Sequence, residues 1–225
     1  MPSLSITNYA TTLPMPTSDL SVLAQDNLAT LRSAAREREW NVLMPALTSL
    51  VQELGFFGAL EIVIQRLQRH LPTFSQFHPN DEEPSGKLVR DLMVSIVAYG
   101  FAPERLPEDL PSQYTTPGSG QFVFAVLEMS RGMQPSRPAE ERFSLLSSAI
   151  ANGILAELTA YWYNLNPDAH QRVLSNVIDP TTNEYTDPDA ARIPLQFWID
   201  DGVAQRDIGA WLQTAYWIEK RLKQP

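Results

Sequence analysis

Glu157 is the ionisable side chain whose position most needs a chemical explanation. Projected at ~100° per residue it falls between Leu146 and Ile150, on the apolar side of a long helical run. A carboxylate there needs a partner or a raised pKa, and burial that raises it would suit a general acid or base in a closed pocket. Tyr161, Trp162 and Trp198 are the aromatics such a pocket would recruit, which would make the chain a helical enzyme or carrier for an apolar small molecule. The plainer expectation is a Glu paired with an Arg such as Arg131, or one reaching the edge of a cavity.

Trp217 offers a different chemistry. Ile208, Trp211, Leu212, Ala215, Ile218 and Leu222 form one apolar stripe at helical spacing. Trp217 projects ~180° from Ile208, beside Ala210, Gln213, Thr214, Lys220 and Arg221. A large aromatic on a polar face with a cationic rim reads as an interface anchor, for a protein partner or for self-association. Packing beneath another element, such as the N-terminal arm, is the competing expectation.

The other constellations are weaker. The three histidines are His70, at the margin of an apolar stripe, His78, before Pro79, and His170. A metal shared by His78 with Asp81, Glu82 or Glu83 would lack both the i,i+4 spacing and a pattern of supporting residues, so a solvated loop explains them better. The turn from Asp179 to Asp189 offers Asp179, Asn183, Glu184, Asp187 and Asp189 as oxygen ligands of the kind Ca²⁺ accepts, without EF-hand spacing or its glycine. There is no HExxH or ExxH pair, Walker lysine motif, GxSxG elbow or SxxK. Gly118-Ser119-Gly120 is a fragment of a dinucleotide loop that follows no strand-like run, and reads as a turn. Asp201 to Arg221 has the length of a helix-turn-helix with Gly202 near the turn, but the adjacent Asp200 and Asp201 oppose DNA. No catalytic residue, metal or cofactor is expected from these patterns.

Composition narrows the classes further. Seventeen Lys and Arg against 26 Asp and Glu leave a formal charge of −9, which repels a phosphate backbone and argues against nucleic acid. The absence of cysteine removes disulfides, thiolate nucleophiles and Cys-ligated metals. Met1 to Ser18 lacks the charge and apolar core of a secretory signal, and the apolar stretches are interrupted by Glu, Gln or Arg, so neither export nor a membrane span is expected and a cytoplasmic location follows by default.

The elements that must position these residues read as helices. Residues 1–18 are expected to be an extended arm, mobile or laid along a partner, ending in a cap at Ser18 ahead of a helix from Asp19 to about Arg38. Asn41 would cap a second helix to Leu54 with Pro45 in its first turn, Gly55 would end it, and a third with Phe56, Leu60, Val63, Leu67 and Leu71 would stop at Pro72. A fourth opens at Pro84 or Ser85 with the stripe Leu88, Leu92, Met93, Ile96 and Tyr99, closing at Gly100. The Pro-rich connection 102–120 is a candidate functional loop or a seam, with a short turn near Glu108. The apolar run 121–129 is ambiguous between helix and strand and is assigned to helix. Pro138 to Leu165 is apolar almost all round, as a central helix should be. A short helix from Asn166 to Ile178, a turn cluster, and helices over Ala190–Gly202 and Arg206–Lys223 complete the chain. The expectation is an all-α bundle of about seven to nine helices, one domain over 19–225, acting as a binding or assembly factor through the surface around Trp217.

Overall fold

The computed structural model describes residues 20–80, 82, 84–99 and 109–224. The expected arm, the Ser18 cap, Asp81, Glu83, Gly100 and the turn near Glu108 lie outside them. Among the described residues there are eight α-helices: α1 (Val22–Glu37), α2 (Trp40–Phe77), α3 (Lys87–Tyr99), α4 (Ser119–Gly132), α5 (Ala139–Leu165), α6 (Pro167–Ser175), α7 (Ile193–Ile199) and α8 (Asp201–Leu222). The architecture is an all-α bundle in which α5 packs on both α2 and α4, α1 packs on α2, and α8 packs against α1, α2 and α5. One apolar cluster runs through it, from Ala24 on α1 to Ile218 on α8.

Ser21 starts α1, its hydroxyl accepting from the Ala24 N–H at 2.9 Å. Leu28, Leu31, Ala34 and Ala35 face inward. Arg38 ends the helix in the left-handed conformation (φ 58°, ψ 39°). The turn is so tight that α2 begins at Trp40 without a side-chain cap, so Asn41 is inside the helix and Pro45 lies beyond the first turn. Gly55 interrupts α2 as expected, at φ 66° and ψ 173°, a conformation that favours glycine.

Pro72 does not stop the chain: α2 continues to Phe77. Phe74 is fully buried, with its ring centroid 4.7 Å from Phe122 and 5.5 Å from Tyr114, and this burial holds the last turn against the break that Pro72 invites. On α3 the buried stripe is Val89, Leu92, Met93 and Ile96, so Leu88 and Tyr99 face solvent instead of the core.

The ambiguous run is helical. Phe122, Val123, Ala125, Val126, Leu127 and Met129 are all buried, which is why no single face was visible in the sequence of α4. Its entry at Gly118 (φ 80°) needs glycine, since a Cβ would collide with the Ala156 carbonyl oxygen. The long central helix α5 begins directly after Pro138, with Glu140 and Glu141 in its first turn.

Short α6 ends at Ser175, and Ile178 instead enters a two-stranded ribbon, β1 (Ile178–Asp179) and β2 (Glu184–Tyr185), with Ile178 opposite Tyr185. The last two helices divide at Asp200, whose carboxylate accepts from the Val203 N–H at 2.9 Å. Gly202 is therefore inside α8, which runs unbroken to Leu222 and rules out a helix-turn-helix there. By length and composition alone α2 and α5 are apolar enough to cross a membrane, a property that the buried core helices of a bundle share. In the bundle both place Leu50, Leu67, Ile150 and Ile154 in the shared core.

Candidate functional site

The site is built where α8 crosses α2 and α5. Arg66 occupies a position of the apolar stripe Ile62, Arg66, His70 and is fully buried. It is room beside Gly153 that admits it: a Cβ there would meet Arg66 Cγ at 2.8 Å. Its guanidinium donates from Nη1 to Glu157 Oε1 at 2.9 Å and from Nη2 to the Ala210 carbonyl and the Thr214 hydroxyl, each at 2.8 Å. Its face lies over the Trp217 ring, 4.8 Å from the centroid. Burial pushes the Arg66 pKa down while Glu157 opposes the shift.

Glu157 is thus an ion-pair hub. Its second oxygen accepts from Arg69 Nε at 3.0 Å, so its partners are Arg66 and Arg69 rather than Arg131. The isolated carboxylate that an acid–base role required is replaced by one held between two cations.

Trp217 is half-buried, not a free-standing anchor, because Arg66 covers it and the core packs against it. Thr214, expected on the same surface, is fully buried as an Arg66 partner. Beyond them α2 and α8 form a cleft of about 450 Å³ bordered by Gln65, Gln68 and Arg69 on one side and Tyr216, Trp217 and Lys220 on the other. Arg221 reaches Glu61 across it at 2.9 Å. Lys220 has no carboxylate partner among the described residues.

Ala210 and Gln213 border a second chamber of about 290 Å³, with Arg66, Arg69, Glu157 and Arg206. The expected aromatic pocket does not form around that carboxylate. Trp198 lines a separate apolar cavity of about 450 Å³ with Trp40, Ala151, Ile154, Leu155 and Leu158. Tyr161 lies under Arg206, 3.9 Å from its guanidinium carbon, and Trp162 is buried against Tyr163 and Phe197. The separation follows from helix geometry, since Trp162 is ~140° around α5 from Glu157.

The histidines have structural surroundings. His70 is buried with Nε2 unpartnered, and loss of hydration takes its pKa down to about 4. His78 ties two loops together, with Nδ1 3.1 Å from the Pro84 carbonyl and Nε2 2.8 Å from the Thr116 hydroxyl, while Glu82 is exposed. His170 packs on Tyr163. In the acidic turn, Asp187 takes two bonds from Arg172 at 2.7 and 2.9 Å, and Asp179 caps Thr181 N–H at 2.7 Å. No group of three His, Asp or Glu that could hold a metal occurs among the described residues.

Sequence reasoning missed Arg66, Arg69, Trp40 and the pairing of half-buried Arg38 with buried Asp207. The signal for two of them was present: Arg66 interrupts an apolar i,i+4 series, and Asp207 sits between Val203 and Trp211 in another. Asp207 is 1% exposed, 3.5 Å from Arg38 Nε, and burial pushes its pKa up to about 6. Comparison with known proteins finds no family model, curated protein or solved structure that matches the chain.

Proposed function

We propose that the chain is a non-enzymatic binding or assembly factor that seats an acidic segment of a protein partner in the α2–α8 cleft. The observation that carries this reading is the composition of the cleft: Tyr216 and Trp217, the glutamines Gln65, Gln68 and Gln224, and Arg69, Lys220 and Arg221 against the single carboxylate of Glu61, on a chain of net charge −9. Aromatic walls supply contact area at low entropic cost, glutamine amides match a peptide backbone, and the cations select against basic sequences. Trp217 acts as a wall of the cleft, held by Arg66, which favours a preformed groove over an induced one.

Selection of a random displayed-peptide library on the wild-type protein, with Trp217→Ala, Lys220→Glu as the counter-target, tests it. Enrichment of acidic peptides that bind only the wild type is expected. Peptides without acidic bias, or equal binding to both proteins, would sink the reading. Light scattering run alongside separates a second copy from a different partner: an oligomer that the double variant dissolves would make the partner the chain itself.

The apolar cavity between Trp40 and Trp198 supports a second reading, a carrier for a small apolar molecule. Quenching of tryptophan fluorescence by such a ligand, abolished in Trp198→Ala but not in Trp217→Ala, would favour it over the cleft.

A further inference from the structure

We propose that the chamber between Arg66, Arg69 and Arg206 binds a doubly charged phosphate monoester group. This site is distinct from the peptide cleft, although Arg69 borders both, and the inference does not rest on a partner occupying that cleft.

Charge is the first argument. Three guanidiniums converge on about 290 Å³, and the single carboxylate among them, Glu157, is shared by Arg66 and Arg69. Arg206 has no carboxylate partner among the described residues and is held by the Tyr161 ring instead. The chamber therefore holds two uncompensated positive charges inside an acidic protein. A phosphate monoester, with close to two negative charges near neutral pH, balances them, whereas a monocarboxylate leaves one over. Guanidinium forks are also the side chains best matched to phosphate oxygens.

The second argument is how the cations are arranged. Arg66 is fully buried with Nη1 and Nη2 committed within the fold, so it supplies fixed positive charge behind the wall, while Arg69 and the exposed Arg206 present their guanidiniums to the chamber itself. The Gln213 amide at the rim supplies a neutral donor.

Gly209 is the third. It lies inside α8, where glycine is unfavourable relative to alanine, and beyond its chain neighbours and the backbone of its own helix no atom lies within 4 Å of where its Cβ would be. No packing contact in the fold requires glycine there. What its missing side chain does is keep the chamber mouth open.

Calorimetric titration with inorganic phosphate at constant ionic strength, above the second phosphate pKa, tests the proposal on the full chain. Binding is expected, with a thermal midpoint that rises with phosphate concentration. Arg206→Gln should weaken it by at least about tenfold, as expected for loss of a charge-assisted contact. Gly209→Leu should abolish it by filling the mouth without removing a charge, and Tyr216→Ala, which borders the cleft alone, should leave it intact. No binding to the wild type, or equal binding to wild type, Arg206→Gln and Gly209→Leu, overturns the site. Titration with glycerol phosphate and with a phosphoserine peptide then identifies the source: tighter binding of the former assigns a small phosphorylated molecule, tighter binding of the latter a modified protein side chain. Loss of acidic-peptide selection with phosphate binding retained would remove the cleft reading and leave this one standing.

Discussion

Helix α8 packs against two arginine–carboxylate arrangements, each with one buried member, and they are built on opposite principles. At one, the cation is the buried member: Arg66 is enclosed, but three hydrogen bonds and a tryptophan face surround it, and its carboxylate partner Glu157 keeps 21% of its side chain exposed. At the other, the anion is the buried member: Asp207 is enclosed, its Oδ1 has no partner, and Arg38 stands 3.5 Å away, outside good hydrogen-bond geometry. Arg38 is meanwhile committed to the Trp198 carbonyl at 2.9 Å. A buried charge is tolerable when its hydrogen-bonding capacity is filled and expensive when it is not. The first arrangement therefore fixes α2, α5 and α8 together, while the second is a place where the fold gives up stability.

Removing the carboxylate from the first arrangement should have the largest effect. Glu157→Ala leaves a buried guanidinium short of its anion, and the expected loss is about 3 to 5 kcal/mol in urea denaturation, near the lower end because Ala210 and Thr214 still accept from Arg66. Arg66→Met, which removes the charge and keeps apolar volume, should cost less. A loss under about 1 kcal/mol in Glu157→Ala would mean that the two arrangements do not differ as described.

The second arrangement is expected to respond to pH. Folding raises the Asp207 pKa from its ordinary 3.8 to about 6. Between those values the folded protein keeps a proton that the unfolded chain has released, so the stability present below about pH 4 is lost as pH rises through about 6. At ~1.4 kcal/mol per pH unit the loss is on the order of 3 kcal/mol. His70 works in the opposite sense, because its folded pKa of about 4 lies below the ordinary 6.5 and stability is lost as pH falls through that window. The two partly cancel in the wild type, so the informative quantity is the difference from Asp207→Asn. That variant should gain on the wild type steadily from about pH 4 to about pH 6 and hold the advantage above it. A constant difference across the range would show that Asp207 is not the titrating group.

A smaller change tests the filling of hydrogen bonds around Arg66 itself. Thr214→Val preserves shape and removes the hydroxyl that accepts from Nη2, which keeps its bond to the Ala210 carbonyl. Chemical denaturation should show a loss of about 1 kcal/mol, the usual worth of one bond with a partner left over. A neutral result would place the Arg66 stabilisation in Glu157, the Ala210 carbonyl and Trp217.

Much of the bundle was legible because long amphipathic periods report burial directly. The α5 boundaries and the Gly55 break were readable from composition at the ends of the runs. The failures came where tertiary packing outweighed a local signal: buried Phe74 carried α2 past Pro72, and the Asp200 cap set the α8 start ahead of Gly202. For the site, Glu157 and Trp217 were visible as misfits on their helices, but not what would pair with them. Arg66 is 91 residues from Glu157 in sequence, and no periodicity within one helix can reveal a contact made by another.

Between the two arrangements, at the point where α8 passes from Asp207 to Ala210, lies Gly209. Asp207 points into the core and Ala210 presents its carbonyl to Arg66, so the residue between them faces outward, with open space around its missing side chain. Gly209→Ala should stabilise the protein by about 0.5 to 1 kcal/mol, because alanine restricts the unfolded chain and favours the helix. The gain should be equal on either side of the Asp207 titration and unaffected by Thr214→Val, since no atom is shared with either cluster. A gain that vanishes in Thr214→Val would mean that the helix backbone transmits strain between the Arg66 and Asp207 arrangements, and that the two are one coupled device.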